Sequence, residues 1–411
     1  VENPAKGFSL FVVMKVDKQV KKSVVIVLFL ICLGLASSYW INLSLTQQAV
    51  VTPVSGEANP QPQAEPDIIE NITLAAAGDC LMHNTQIWSG QQPGGGYNFD
   101  AFFKQVQPII ASADYSSTNF EAPMAGAASG YTGYPLFNSP DEMASAFKQA
   151  GFDLVVTANN HILDRGVQGA LRTLQVLEQA GLDTVGVYSS QEASEQFLIK
   201  DLKGIRVGYL AYTYSTNGIP VPDDKPYLVN FLEREKILKD ISILRPQVDI
   251  VILVLHWGQE YSPKPSEEQK ALAREFCAAG ADVILGSHPH VIQTMEVIPV
   301  EGRNCFVIYS MGNFISHQIG LERNSGVILL MEFRKNFTLN ETKLTRVDYI
   351  PTYSHPYYDN GRQQFRVVPI EDTIRRIEQG EEPYLGRGDI PTLQAVLNHT
   401  RSQLGEGYSF N

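Results

Sequence analysis

The sequence predicts an exported α/β domain with a largely buried sheet, carried behind a single membrane-spanning helix. Three observations predict it. From Asn71 onward, short apolar runs alternate with helical patterns, the texture of strands covered by helices. Oxygen- and nitrogen-bearing side chains recur just after those runs. Near the N-terminus, a charge-free apolar stretch follows a group of lysines.

The chain has 411 residues, enough for one large domain or two ordinary ones. Its formal charge of −12 excludes a nonspecific nucleic-acid binder, which needs a basic stripe. Cys32, Cys80, Cys277 and Cys305 are too few and too scattered for a disulfide scaffold or a thiolate zinc site. Cys277 and Cys305 are capable of bridging, but separate buried thiols are expected.

Residues 1–22 form a basic tail with Lys15, Lys18, Lys21 and Lys22. The apolar run from Val24 to about Leu43 is roughly 20 residues, the length a helix needs to cross a bilayer. Tyr39 and Trp40 stand near its far end, where aromatic residues favour the interface. Lysines before the span and none just after it place the N-terminus in the cytoplasm and the bulk of the chain outside. Cleavage as a signal peptide near Ala36-Ser37-Ser38 is the alternative, but the run is long for one, so an uncleaved anchor over 23–43 is expected. Residues 44–70, with Pro53, Pro60, Pro62 and Pro66, suit a semi-stiff spacer.

The domain then occupies 71–370. Ile72–Ala77 is expected as a strand closing on Gly78-Asp79, with His83 following. A helix is expected over Tyr97–Ser112, and Tyr115–Asn119 leads to Glu121. Asp141–Ala150 is helical, stopped by Gly151, and Asp153–Thr157 runs into Ala158-Asn159-Asn160-His161, with Asp164 close behind. Gln168–Gln179 is an amphipathic helix ended by Gly181. Strands follow at Leu182–Val187 and Ile205–Ala211, then a helix over Glu233–Leu244. Asp249–Leu255 is a strand ending on His256-Trp257-Gly258, and Ser266–Ala279 is helical. Val283–Leu285 exits through Gly286-Ser287 to His288-Pro289-His290, where Pro289 stiffens the spacing between the two imidazoles. Phe306–Tyr309 is a strand ending in Ser310-Met311-Gly312-Asn313-Phe314, of which Gly312-Asn313-Phe314 is expected as a turn supporting the site. The extension 371–411 holds a helix over Thr392–Leu404 and no recognisable chemistry.

Asp79, Glu121, Asn160, His161, His256, His288 and His290 therefore all stand at strand exits, where open α/β sheets carry their ligand sites. Any one of them alone would be a cap or a satisfied surface group. Together they point to one polar site. Carboxylates, imidazoles and an amide without thiolate suit Mn²⁺, Fe²⁺, Zn²⁺ or Mg²⁺. The set is large enough for two divalent ions, an arrangement that serves in-line displacement at phosphorus.

The series Gly78-Asp79, Asn119-Phe120-Glu121, Ala158-Asn159-Asn160-His161, His256-Trp257-Gly258, Gly286-Ser287-His288-Pro289-His290 and Tyr309-Ser310-Met311-Gly312-Asn313-Phe314 resembles the bacterial CapA (PgsA-type) capsule-synthesis proteins, within the calcineurin-like metallophosphoesterase superfamily. The resemblance covers roughly residues 73–368. It implies a sandwich of two mixed β-sheets flanked by helices, with a dinuclear metal site. Asp79 and His290 would serve the first metal, Glu121 would bridge, and Asn160, His256 and His288 would hold the second. His161 falls at the general-acid position, with Asp164 orienting it. Leu81 stands where the superfamily carries a histidine, which makes His83 a further candidate ligand. The resemblance also implies work on poly-γ-glutamate or a similar anionic capsule polymer, alongside other subunits of a membrane complex. A hydrolase of the phosphoesterase type is the leading expectation. A non-catalytic, polymer-binding subunit is the second, and a tethered solute-binding protein the third.

Overall fold

The computed structural model describes residues 67–410. The expected basic tail and membrane helix, and nearly all of the spacer, lie outside the described residues. Among the described residues no helix is long and apolar enough to cross a membrane.

The strands are β1 (Ile69–Cys80), β2 (Tyr115–Phe120), β3 (Leu154–Val156), β4 (Asp183–Val185) and β5 (Leu198–Leu202). They continue with β6 (Ile205–Thr213), β7 (Ile250–His256), β8 (Val283–Ser287), β9 (Ile292–Val300) and β10 (Arg303–Met311). The last are β11 (Asn313–Ile315), β12 (Ser325–Asn336), β13 (Glu341–Asp359), β14 (Arg362–Pro369) and β15 (Tyr408–Ser409). They build two mixed sheets. One runs β14-β13-β12-β1-β2-β3-β4, with β11 beside β1 and β15 beside β13. Within it β1 is antiparallel to β12 and parallel to β2. The other runs β5-β6-β7-β8-β10-β9. Its four central strands are parallel, and β5 and β9 close its edges antiparallel.

Period-two alternation explains the layering, because successive side chains point to opposite faces of a strand. Leu74 and Ala76 of β1, Ile252 and Val254 of β7, and Phe306 and Ile308 of β10 share one core between the sheets. Ala75 and Ala77 face a second core with Phe102, Phe103 and Phe147. Val251, Leu253 and Leu255 face a third, against the helices Arg234–Leu244 and Glu267–Ala279. The latter helix starts at Ser266, whose hydroxyl accepts the Gln269 N–H at 3.1 Å while Gln269 Oε1 accepts the Ser266 N–H at 2.9 Å. Such a reciprocal cap satisfies two otherwise orphaned donors.

Two expectations are corrected. The helix over Tyr97–Ser112 is broken into a 3₁₀ turn at Asp100–Phe102 and a short helix at Gln107–Ile110. Pro108 lacks an N–H and is tolerated only in a first turn, so it starts a new helix rather than continuing one. Burial of Phe99, Phe102 and Phe103 fixes the irregular stretch instead. Cys277 and Cys305 are bridged, with Cα atoms 5.7 Å apart, rather than separate thiols. The end of the helix Glu267–Ala279 packs beside β10, which brings both cysteines into the same core. Among the described residues Cys80 has no disulfide partner, and it is buried.

Candidate metal centre

The site is assembled where the parallel strands of both sheets end. Gly78 permits this at β1, since a Cβ there would lie 2.0 Å from the Gly312 carbonyl oxygen. The close approach lets the Asp79 N–H donate to that oxygen at 2.9 Å. Gly286 plays the same part in β8, where a Cβ would meet the Tyr309 oxygen at 1.8 Å. Beyond it, His288 and His290 take φ of 94° and 58°. Non-glycine residues rarely adopt such angles, and where they persist the surrounding structure enforces them, often at functional sites.

Six of the expected residues converge there, all buried: Asp79, Glu121, Asn160, His256, His288 and His290. Ligand-capable atoms of Glu121, His288 and His290 lie within 4.8 Å of one another, as do those of Asp79, Glu121 and His256. The two groups meet at Glu121. They pair His288 with His290, whereas the family resemblance places these two histidines on different metals. Glu121 Oε1 is 3.6 Å from Nε2 of both His256 and His290. Asn160 Oδ1 lies 2.8 Å from His256 Nε2, facing the same space.

Surrounding groups fix these side chains. Asp79 accepts the Asn119 amide at 2.7 Å and the His288 N–H at 3.0 Å. His256 Nδ1 is hydrogen-bonded to the Ser287 hydroxyl at 2.9 Å. His290 Nδ1 donates to Asn313 Oδ1 at 3.0 Å, which turns Nε2 toward Glu121. Metal-bound imidazoles are commonly oriented in this manner.

Electrostatics favour a cation. Both Glu121 oxygens are buried and, among the described residues, have no hydrogen-bond partner, and neither does His288 Nδ1. Burial, reinforced by Asp79, pushes the Glu121 carboxyl well above its usual range. Burial and the neighbouring His288 and His290 hold His256 well below the usual imidazole value. Burial and His290 lower His288 to about 3. Burial opposes ionisation of His290 too, but Glu121 and Asp79 outweigh it and lift His290 to about 9. An isolated buried carboxylate costs several kcal/mol or more, and metal coordination is a standard way to offset it. The residues therefore fit a divalent ion, or two sharing Glu121.

His161 belongs to neither ligand group. Its Nδ1 lies 2.7 Å from Asp164 Oδ2, which also accepts the Phe137 N–H at 2.8 Å. The Phe137 ring meets the imidazole edge-on, with centroids 4.7 Å apart. His83 stands outside both groups as well; its Nδ1 accepts the His317 N–H at 3.3 Å, and burial lowers it to about 4. Leu81 is buried and apolar.

Sequence reasoning missed Asn217, Tyr214, Tyr261 and Arg323. Asn217 accepts the Asn160 amide at 3.1 Å, and the Tyr214 ring centroid is 4.5 Å from that of His288. Tyr214 directly follows β6, but the sequence reading took no ligand from that exit; Asn217, Tyr261 and Arg323 lie further from the assigned exits, where the spacing could not mark them.

Fold and site together define an α/β sandwich with a buried acid–imidazole–amide centre built to hold divalent cations. A profile of the bacterial capsule synthesis protein PGA_cap matches residues 73–318, and the chain belongs to that family. It is 31% identical over 308 residues to the PGA biosynthesis protein CapA of Bacillus subtilis, covering 72% of this chain and 77% of that one. It is 29% identical over 342 residues to the capsule biosynthesis protein CapA of Bacillus anthracis, covering 80% and 77%. A solved 5'-nucleotidase precursor from Thermus thermophilus is similar at 15% identity with a TM-score of 0.44. That match covers 81% of this chain, which spans 59% of the nucleotidase.

Proposed function

We propose that this protein is a membrane-anchored, extracytoplasmic, metal-dependent hydrolase of the phosphoesterase type. On this reading it acts on an anionic capsule polymer or its precursor, in concert with synthase subunits. The unpartnered, buried Glu121 carboxylate between Asp79, His256, His288 and His290 carries the reading. Divalent ions bound there would supply Lewis acidity and an activated water. Asp79, Glu121, Asn160, His256, His288 and His290 would hold them, with Glu121 shared. His161 would donate a proton from Nε2 to the leaving oxygen, while Asp164 at 2.7 Å from Nδ1 fixes the ring. The Cys277–Cys305 bridge supports an oxidising compartment. The capsule role rests on family membership.

A polymer-binding subunit without turnover is the second reading. The apolar Leu81 favours it, because it stands where the superfamily carries a histidine. Assays of phosphomonoester and phosphodiester hydrolysis on manganese-loaded protein, beside H161A, separate the two. Turnover that falls by about 10²–10⁴ in H161A supports the hydrolase. Bound metal with no turnover by the wild type overturns it in favour of the binding subunit.

A further inference from the structure

Tyr261 adopts φ 62°, a left-handed conformation in which a bulky aromatic residue is an outlier. Its N–H donates to the Pro289 carbonyl at 2.8 Å, which ties it between His288 and His290. Its ring centroid is 6.0 Å from that of His290. Over the same ring, 3.7 Å from its centroid, lies the guanidinium carbon of Arg323. Arg323 is held from its backbone as well. Its carbonyl accepts the Asn313 amide at 2.6 Å, and Asn313 Oδ1 accepts from His290 at 3.0 Å. Ring and guanidinium are thus both tethered to one candidate metal ligand.

That guanidinium is otherwise unused. Arg172, Arg245 and Arg366 each pair with a carboxylate. Among the described residues the Arg323 guanidinium forms no salt bridge, and its contact is the face of the Tyr261 ring. Burial, then the nearby Glu260 carboxylate, pushes the Tyr261 hydroxyl up to about 12, and Arg323 acts against them. A stacked guanidinium keeps its edge free, and that edge is a planar fork matched to an oxyanion.

Resting on the hydrolase reading above, we propose that Arg323, stacked on Tyr261, forms a second anion subsite at the mouth of the metal centre. It selects substrates that carry another carboxylate or phosphoryl group beside the phosphoryl group that reacts. Tyr261 acts as the positioning residue for the guanidinium.

Calorimetric titration of the manganese-loaded full chain with orthophosphate, pyrophosphate and phosphonoacetate tests this. The readout is the affinity of each two-anion probe relative to orthophosphate, compared between wild type and R323Q. Chelation in free solution is the same for both proteins and cancels in that comparison. Charge-assisted, bidentate contacts of this kind are worth about tenfold or more in affinity, so the wild-type preference should collapse by about that factor in R323Q. R323K should keep only part of it. A loss confined to phosphonoacetate identifies a carboxylate as the second group, and a loss confined to pyrophosphate a phosphoryl group. Bound manganese and melting temperature, measured for both proteins, exclude misfolding as the cause. An equal preference in wild type and R323Q overturns the subsite and leaves the hydrolase standing. No orthophosphate binding and no bound manganese in the wild type overturns the hydrolase reading and the subsite with it.

Discussion

Glu121 and Glu382 are both carboxylates whose side chains are fully enclosed, yet their surroundings are opposite. Arg366 reaches Glu382 at 2.6 Å, and the Tyr384 N–H adds a bond at 3.1 Å. Arg366 in turn donates to His355 Nδ1 at 3.1 Å and lies between Tyr357 and Tyr384, 5.1 and 5.0 Å from their centroids. Burial resists ionisation of Glu382, but Arg366 outweighs it and holds the group below the usual carboxylate range. Among the described residues Glu121 has no arginine or lysine as an ion-pair partner, only His256 and His290 at 3.6 Å. One carboxylate is neutralised from within the fold and ties β13 and β14 to the segment after them. The other is left for a cation from outside. Partnering, rather than burial, separates a structural charge from a functional one.

The largest effect should come from breaking the arginine-held cluster. R366M leaves Glu382 only the more distant Arg376, 3.8 Å away, and should cost about 3 kcal/mol, read as a lower denaturation midpoint. Acid should act on the same cluster. Burial, then Arg366, lowers His355 to about 4, so the folded state binds fewer protons than the unfolded one between that value and the ordinary imidazole range. Stability is therefore fully present above pH of about 6.5 and is lost as pH falls toward 4, by up to roughly 3 kcal/mol. Denaturation curves across that window should have a shallower pH slope in H355Q.

The functional carboxylate should respond in the opposite sense. E121Q removes a buried acid faced only by two imidazoles and leaves Asp79 beside His290, so metal-free protein should melt at or above the wild type, with a gain of about 1–3 kcal/mol. The smallest change should belong to R366M/E382M. Replacing a buried pair by apolar groups of similar volume is often neutral, so the double variant should return to within about 1 kcal/mol of the wild type. A double variant as unstable as R366M would show that the pair is not an independent unit.

The contrast also shows what could be seen in the sequence. Ligand residues stood out because strand ends project polar groups at regular places; five of the expected ligands group in space, and Asn160 stands beside His256. The Arg366 cluster did not, since β13 pairs with β14 without a clean alternation of buried and exposed positions and carries Pro351 and Pro356. The antiparallel half of its sheet was invisible for the same reason. Cys277 and Cys305 meet through tertiary packing across 28 residues, which spacing alone does not encode. Arg323 needed the fold to bring it over Tyr261.

Metal binding by Glu121 is open to direct measurement. Plasma mass spectrometry of the full chain, dialysed against Mn²⁺ or Zn²⁺ and then against buffer, tests it most directly beside E121Q. The account predicts metal retained near two ions per chain in the wild type, as a shared-carboxylate centre requires, and most of it lost in E121Q. A wild type without metal above background, or an E121Q that retains as much, would contradict it.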